Sequence, residues 1–216
     1  MTDLTIILGN KAYSSWSLRG WLLLKQTGAP FAEVVVPLDR PETHAQILRH
    51  SPSGRVPALR AGADTVWDSL AIAEYLNERF PGAGLWPEDA AARAFARAVS
   101  AEMHAGFAAL RRQMPMDLRR SPGAPQTPGG QTGADVARIL AIWKACRDRF
   151  AHDGDFLFGR FCAADAFYAP VVTRFITYGV PLEGRAKAYS DAVMSWPAMG
   201  EWIAAAKAEP WIIDNP

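Results

Sequence analysis

The chain has 216 residues, enough for one large domain or two small ones, and half of them are hydrophobic. Its 23 Lys and Arg face 22 Asp and Glu, a formal charge of +1, which gives no electrostatic reason to expect a nucleic acid or an anionic membrane as partner. Two cysteines, Cys146 and Cys162, are too few for a disulfide framework and lack metal-ligand spacing. No leader pattern and no bilayer-length apolar run is present, so a reduced cytoplasmic protein without bound metal is expected.

Taken in order, Leu4 to Leu8 (LTIIL) reads as a short buried strand closed by Gly9. A polar loop, Asn10 to Ser17, leads into a helix expected over Leu18 to Gln26, with Ser17 as N-cap and Gly28 and Pro30 as stop signals. Phe31 to Val36 is β-branched and strand-like, and Pro41 to His50 suggests a short helix. Ser51 to Ser69 (SPSGRVPALRAGADTVWDS) then holds two short apolar runs around the turn Ala61-Gly62-Ala63-Asp64, a hairpin pattern. Pro57 falls where the first of these strands begins, a place that tolerates the missing N–H. A trans bond there is the ordinary case; a cis bond would turn the peptide groups of Val56 outward as a free binding edge. Asp68 and Ser69 precede the periodic run Leu70, Ala73, Leu76, Phe80, an amphipathic helix for which capping alone accounts for the pair.

After Phe80 the composition changes. Pro81 to Pro87 reads as a linker, and the remainder is Ala-rich and helical. Helices are expected over Asp89 to Met114, Gly133 to His152, Asp165 to Tyr178, Glu183 to Ser190 and Ala198 to Lys207. Pro115 to Thr132, dense in Pro, Gly and Gln, is expected to be a mobile loop. The organisation is therefore an α/β unit over 1–80, a linker over 81–87 and an all-helical unit over 88–216.

The pairing of G-R-V-P-A-L with W-D-S-L-A-I-A-E-Y-L resembles the thioredoxin-like domain of cytosolic glutathione transferases, and the α/β-plus-helical layout extends that resemblance over nearly the whole chain. The resemblance implies glutathione as co-substrate, a homodimer, and a detoxifying attack of the glutathione thiolate on a small hydrophobic electrophile. It implies that the backbone of Val56, beside Pro57, pairs with the cysteinyl unit of glutathione, while Asp68 and Ser69 hold its γ-glutamyl end. The chemistry agrees, because a helix N-terminus offers N–H groups to a carboxylate and Asp68 offers a charge to an ammonium. His44 and Arg55 are candidates for the glycyl carboxylate, with solvated surface as the alternative.

The run Ser14-Ser15-Trp16-Ser17-Leu18-Arg19 is similar to the S-S-C-S-W-R run of zeta-class members, whose first serine is catalytic. Ser14 is thus the first candidate for thiolate donor, Ser15 the second, and Ser17 the third and the helix cap. Lowering a thiol pKa by about two units requires about 2.7 kcal/mol in favour of the anion, within reach of a hydroxyl donor and a helix N-terminus. Trp16 stands where zeta members carry a cysteine, so a dithiol redox mechanism is excluded; Trp16 either packs in the core or walls the second-substrate pocket. His104, Phe107 and Arg111 fall at i, i+3 and i+7 of one expected helix and, with Arg174, are candidates for holding an apolar substrate with a carboxylate. Two other functions compete with the transferase. One is a glutathione-dependent cis–trans isomerase of a maleyl-type diacid, and the other a glutathione-binding protein without catalysis. Finally, the family opens its central helix with Ser/Thr-x-x-Asp, and here Cys162-Ala163-Ala164-Asp165 offers a weaker thiol cap.

Overall fold

The computed structural model describes residues 3–214, so the outermost residues of both expected domains lie outside it. Four strands form one sheet, β1 (Leu4–Leu8), β2 (Ala32–Val35), β3 (Ala58–Ala61) and β4 (Asp64–Trp67), in the order β2-β1-β3-β4. β1 runs parallel to β2 and antiparallel to β3, and β3 and β4 form the hairpin, joined through Gly62 and Ala63 with Ala61 opposite Asp64. Helices α1 (Ser15–Thr27), α2 (Thr43–Leu48) and α3 (Ser69–Arg79) belong to this half, and a 3₁₀ turn occupies Pro81–Ala83 within the linker. The helical half comprises α4 (Ala90–Ala105), α5 (Ala108–Gln113), α6 (Gly130–Phe150), α7 (Ala163–Thr177), α8 (Gly184–Ser195) and α9 (Pro197–Ala208). This is the thioredoxin-like plus all-helical architecture the motifs imply.

Burial follows the apolar patterning. β1 is nearly fully buried between α1 on one face and Val36, Ile47 and Ala58 on the other, as expected for a strand inside a mixed sheet. α7 is buried along almost its whole length, because it packs against α1 of the sheet half as well as α4 and α8 of its own half. Its N-terminus is tied to the linker by the Ala163 N–H, which donates to Leu85 O at 2.7 Å.

Three expectations about boundaries are corrected. α1 starts at Ser15 rather than Leu18, and its N-cap is Ser14, whose hydroxyl accepts the Ser17 N–H at 3.3 Å. Ser17 is fully buried and is instead bound to the end of β1, accepting the Gly9 N–H at 2.9 Å. The helix expected over Asp89 to Met114 breaks between Ala105 and Ala108, where Gly106 ends α4 and Phe107 takes a left-handed φ of 62°. His104, Phe107 and Arg111 therefore do not share one helical face. The Pro115–Thr132 stretch is a loop as far as Gly129, but it is stitched to the end of α7: the Gly123 and Gln126 N–H groups donate to Thr177 O and Gly179 O, both at 2.9 Å.

The capping box of α7 forms with the thiol in place. Cys162 Sγ faces the Asp165 N–H, and the Asp165 carboxylate accepts the Cys162 N–H at 2.8 Å. A hydroxyl accepts better than a thiol, so Cys162→Ser is expected to stabilise the fold by about 0.5–1 kcal/mol. Differential scanning calorimetry checks this as a rise of about 1–4 °C in Tm at this chain length. An unchanged or lower Tm would mean that thiol packing outweighs the cap.

Candidate active site

A cleft of about 990 Å³ opens where the sheet half meets the helical half. One wall is the stretch before and into α2, including Arg40 and His44; the floor is Ser53 to Pro57; the far side is Trp67, Asp68 and Ser69, with His104 of α4 and Trp16 of α1 at the end. The Val56–Pro57 peptide bond is cis. Gly54 suits this wall because its φ is 63°, a backbone conformation that L side chains rarely adopt. His44 and Arg55 are both exposed on the cleft.

Asp68 caps α3 with φ 73°; one carboxylate oxygen accepts the Leu70 N–H at 2.9 Å and the other lies 3.4 Å from His104 Nε2. Ser69 is 1% exposed and lines the cleft, yet its Oγ has no hydrogen-bond partner among the described residues. A buried hydroxyl without a partner at a helix N-terminus has a proton free to donate, and the surrounding helix N–H groups favour an acceptor of negative charge.

Ser14 and Ser15 are each 6% exposed, and Trp16 rather than either serine forms the wall at this end. The Ser14 hydroxyl donates to Ser17 Oγ at 2.8 Å while accepting the Ser17 N–H. Ser15 Oγ accepts from Arg174 Nη2 at 3.2 Å, which leaves its own proton uncommitted. Ser17, a candidate for contact with glutathione, is fully buried, its Oγ accepting from both the Gly9 N–H and the Ser14 hydroxyl.

Two guanidinium groups, those of Arg19 and Arg111, flank Trp16, and a third, that of Arg174, binds the neighbouring Ser15. Arg19 is fully buried, 4.3 Å from the Trp16 ring centroid and 5.0 Å from that of Phe167, and none of its nitrogens has a hydrogen-bond partner among the described residues. Burial above all, then Arg111 and Arg174, pushes its pKa well below the ordinary arginine value, with Asp68 pulling the other way. Arg111 lies 4.9 Å from the Trp16 centroid and binds the carbonyls of Met103 and Gly106, which end α4. Arg174 donates to Met114 O at 2.8 Å and Pro170 O at 3.1 Å, and burial, then Arg111, lowers its pKa to about 9. His104 meets the Trp16 ring edge-on at 5.0 Å; burial lowers its pKa, Asp68 opposes this, and Arg19 and Arg111 add to it. The result is a positive, partly dry environment that favours an anion over its neutral form.

Arg111 and Arg174 also line a second cavity of about 340 Å³ with Tyr13, Met116 and Ile213. Phe107, expected in the same pocket, is packed in the apolar core and lines neither cavity. Sequence reasoning passed over Arg40, Trp67 and Ser53. The only available signals were their closeness to the Val56 and Asp68 motifs and, for Trp67, an indole 45% exposed at the end of a strand. Among the described residues no group of three or more His, Cys, Asp or Glu could hold a metal ion, and no helix is long and apolar enough to cross a membrane.

The site thus combines a thioredoxin-like sheet, a cleft at the α3 N-terminus and a helical bundle that reaches the cleft through His104 of α4. The chain belongs to the glutathione S-transferase family: the family model for the N-terminal domain of glutathione S-transferases matches residues 13–79 and that for the C-terminal domain residues 88–205. A dichloromethane dehalogenase of Methylorubrum extorquens is 49% identical over 59 residues, 26% of this chain and 20% of that protein. A probable maleylacetoacetate isomerase of Caenorhabditis elegans is 33% identical over 96 residues, 44% of each chain. The matched stretches thus span less than half the length of either relative. The fold is shared with a glutathione transferase homolog from Burkholderia gl BGR1 solved with bound glutathione, at TM-score 0.74 and 22% identity over 96% of this chain and 100% of that one.

Proposed function

We propose that this protein is a serine-type, zeta-like glutathione transferase that activates the thiol of glutathione for attack on an electrophilic carbon. The observation that carries this reading is one cleft lined by Val56, Pro57, Asp68 and Ser69, with a Ser69 hydroxyl at the α3 N-terminus that has no hydrogen-bond partner among the described residues. In it the tripeptide lies along the peptide group of Val56. Asp68 meets its ammonium, Ser69 and the helix N–H groups meet the γ-glutamyl carboxylate, and His44 and Arg55 meet the glycyl end. The sulfur then points to the start of α1, where Ser14 donates to the thiolate after turning away from Ser17 Oγ, its oxygen still accepting the Ser17 N–H. Residues 1–80 serve as the glutathione-binding domain, 81–87 as linker and 88–216 as the wall for the electrophile, in a homodimer of the cytoplasm.

Isothermal calorimetry with reduced glutathione, followed by turnover of an aryl halide, tests this reading. Asp68→Ala is expected to weaken glutathione binding about 10–100-fold, because it removes a charge-assisted bond as well as the α3 cap. Wild-type protein that releases no heat with glutathione at any workable concentration overturns the assignment.

A second reading is favoured by the two arginines, Arg111 and Arg174, on the neighbouring cavity. Neither forms a salt bridge among the described residues, although Asp39 also lines the cavity, and a diacid needs two cationic partners. Glutathione would then add to a conjugated double bond, allow rotation and leave. Isomerisation of a maleyl-type diacid with glutathione in catalytic rather than stoichiometric amount distinguishes the two.

A further inference from the structure

We propose that Glu209, just beyond α9, is a positioning residue that fixes the β1–α1 loop and through it the serine at the head of α1; this rests on the glutathione-transferase reading above. The chain from Asn10 to Ser14 has no regular structure to satisfy its peptide groups, so their partners must come from elsewhere. Glu209 supplies two of them. One carboxylate oxygen accepts the Lys11 N–H at 2.8 Å and the other accepts the Ala12 N–H at 3.3 Å. The carbonyls of the same two residues are also held from the helical half, Lys11 O by Trp202 Nε1 at 3.0 Å and Ala12 O by the Leu118 N–H at 3.1 Å. With both ends of this dipeptide held, the Tyr13 and Ser14 N–H groups turn back onto Asn10 O at 3.2 and 2.8 Å, and Ser14 arrives as the N-cap of α1.

Glu209 is itself held in place. Its backbone carbonyl accepts from Arg119 Nη1 at 2.5 Å, its N–H donates to Ala205 O, and the residue is 9% exposed. It makes no ion pair within salt-bridge distance among the described residues. Both oxygens of a nearly buried carboxylate are therefore directed at two consecutive peptide groups. Such an arrangement specifies geometry, whereas a mobile surface charge does not. Catalysis by a preorganised donor depends on its placement to within a fraction of an ångström, so a contact 198 residues away in sequence bears on the reacting sulfur.

The test compares Glu209→Ala and Glu209→Gln with wild type in three measurements. The first is kcat and KM for glutathione with a generic aryl halide, the second the ultraviolet titration of the enzyme-bound thiol, and the third residue-resolved amide hydrogen exchange. Glu209→Ala is expected to lower kcat about tenfold, leave KM for glutathione within about twofold, and raise the pKa of the bound thiol. Glu209→Gln keeps one acceptor and falls between the two. In both variants the Lys11 and Ala12 amides exchange faster than in wild type. If Glu209→Ala does not fold, Glu209→Gln carries the test alone. A variant that loses thermal stability while kcat and thiol pKa hold, or one whose Lys11 and Ala12 amides stay protected, overturns the inference. Wild-type protein that binds no glutathione overturns the functional reading, and this inference with it, whatever the exchange data show.

Discussion

Ser14→Ala is expected to lower kcat about 10²–10³-fold on an electrophile such as an aryl halide, the usual cost of removing one donor to a developing or resident anion. KM for glutathione should change less than about threefold, because the tripeptide is held by groups at the other end of the cleft, Val56, Asp68 and Ser69. The same change removes the N-cap of α1, whose Oγ accepts the Ser17 N–H at 3.3 Å, so a loss of about 1 kcal/mol in stability accompanies it. Steady-state kinetics joined to titration of the bound thiol separates the two effects. A raised thiol pKa belongs to the donor, whereas a lowered Tm belongs to the cap. Ser15→Ala is the informative control, since its hydroxyl accepts from Arg174 Nη2 and keeps its own proton free. Unchanged turnover in Ser14→Ala with collapse in Ser15→Ala would move the role one residue along the helix.

Asp165→Ala is expected to be the most destabilising single change among those considered. Asp165 is fully buried; one oxygen accepts the Leu157 N–H at 3.0 Å and the other the Cys162 N–H at 2.8 Å. Truncation leaves two buried N–H groups without partners, a cost of about 3–5 kcal/mol and about 10 °C in Tm at this chain length. Burial lifts the Asp165 carboxyl from an ordinary 3.8 to about 6, against the pull of those two backbone bonds. A carboxyl raised in the folded state binds more protons folded than unfolded between these values. Its contribution to stability is therefore fully present below pH 3.8 and declines as pH rises through about 6. The stability gap between wild type and Asp165→Ala should accordingly be widest near pH 4 and narrow towards pH 7. Urea midpoints at the two pH values check it. A gap that widens with pH would mean that the carboxylate, rather than the acid, is the form the box prefers.

Much of the sheet half was legible from the sequence because its signals are local. The stretch from Ser51 to Ser69 encodes its hairpin through a two-residue turn and its helix through an acidic cap, and both form at those positions. Val56, Asp68 and Ser69 share a cleft because one short segment carries all three. The N-terminus of α1 was not legible in the same way. Ser14, Ser15 and Ser17 all suit a cap, and what separates them is the Gly9 N–H just past β1, which donates to Ser17 Oγ at 2.9 Å and holds it in the core. The face formed by His104, Phe107 and Arg111 failed for a related reason. Helical spacing carries an expectation only while the helix continues, and Gly106 followed by a left-handed Phe107 ends it.

By itself, then, the sequence determined the two-part architecture, the hairpin and the α3 cap, since each is written in local composition or a short motif, whereas the cis bond that turns out the peptide edge at Val56 came from the structure. Tertiary structure alone decided which serine heads α1, that Phe107 belongs to the core, that Arg19 lies buried against Trp16 with no hydrogen-bond partner among the described residues, and that Glu209 reaches Lys11 and Ala12. The physical reason is that a hydroxyl, a guanidinium or a carboxylate fits many partners equally well. Only the packing of α7 and α9 against α1 and its loop brings one of them within bonding distance.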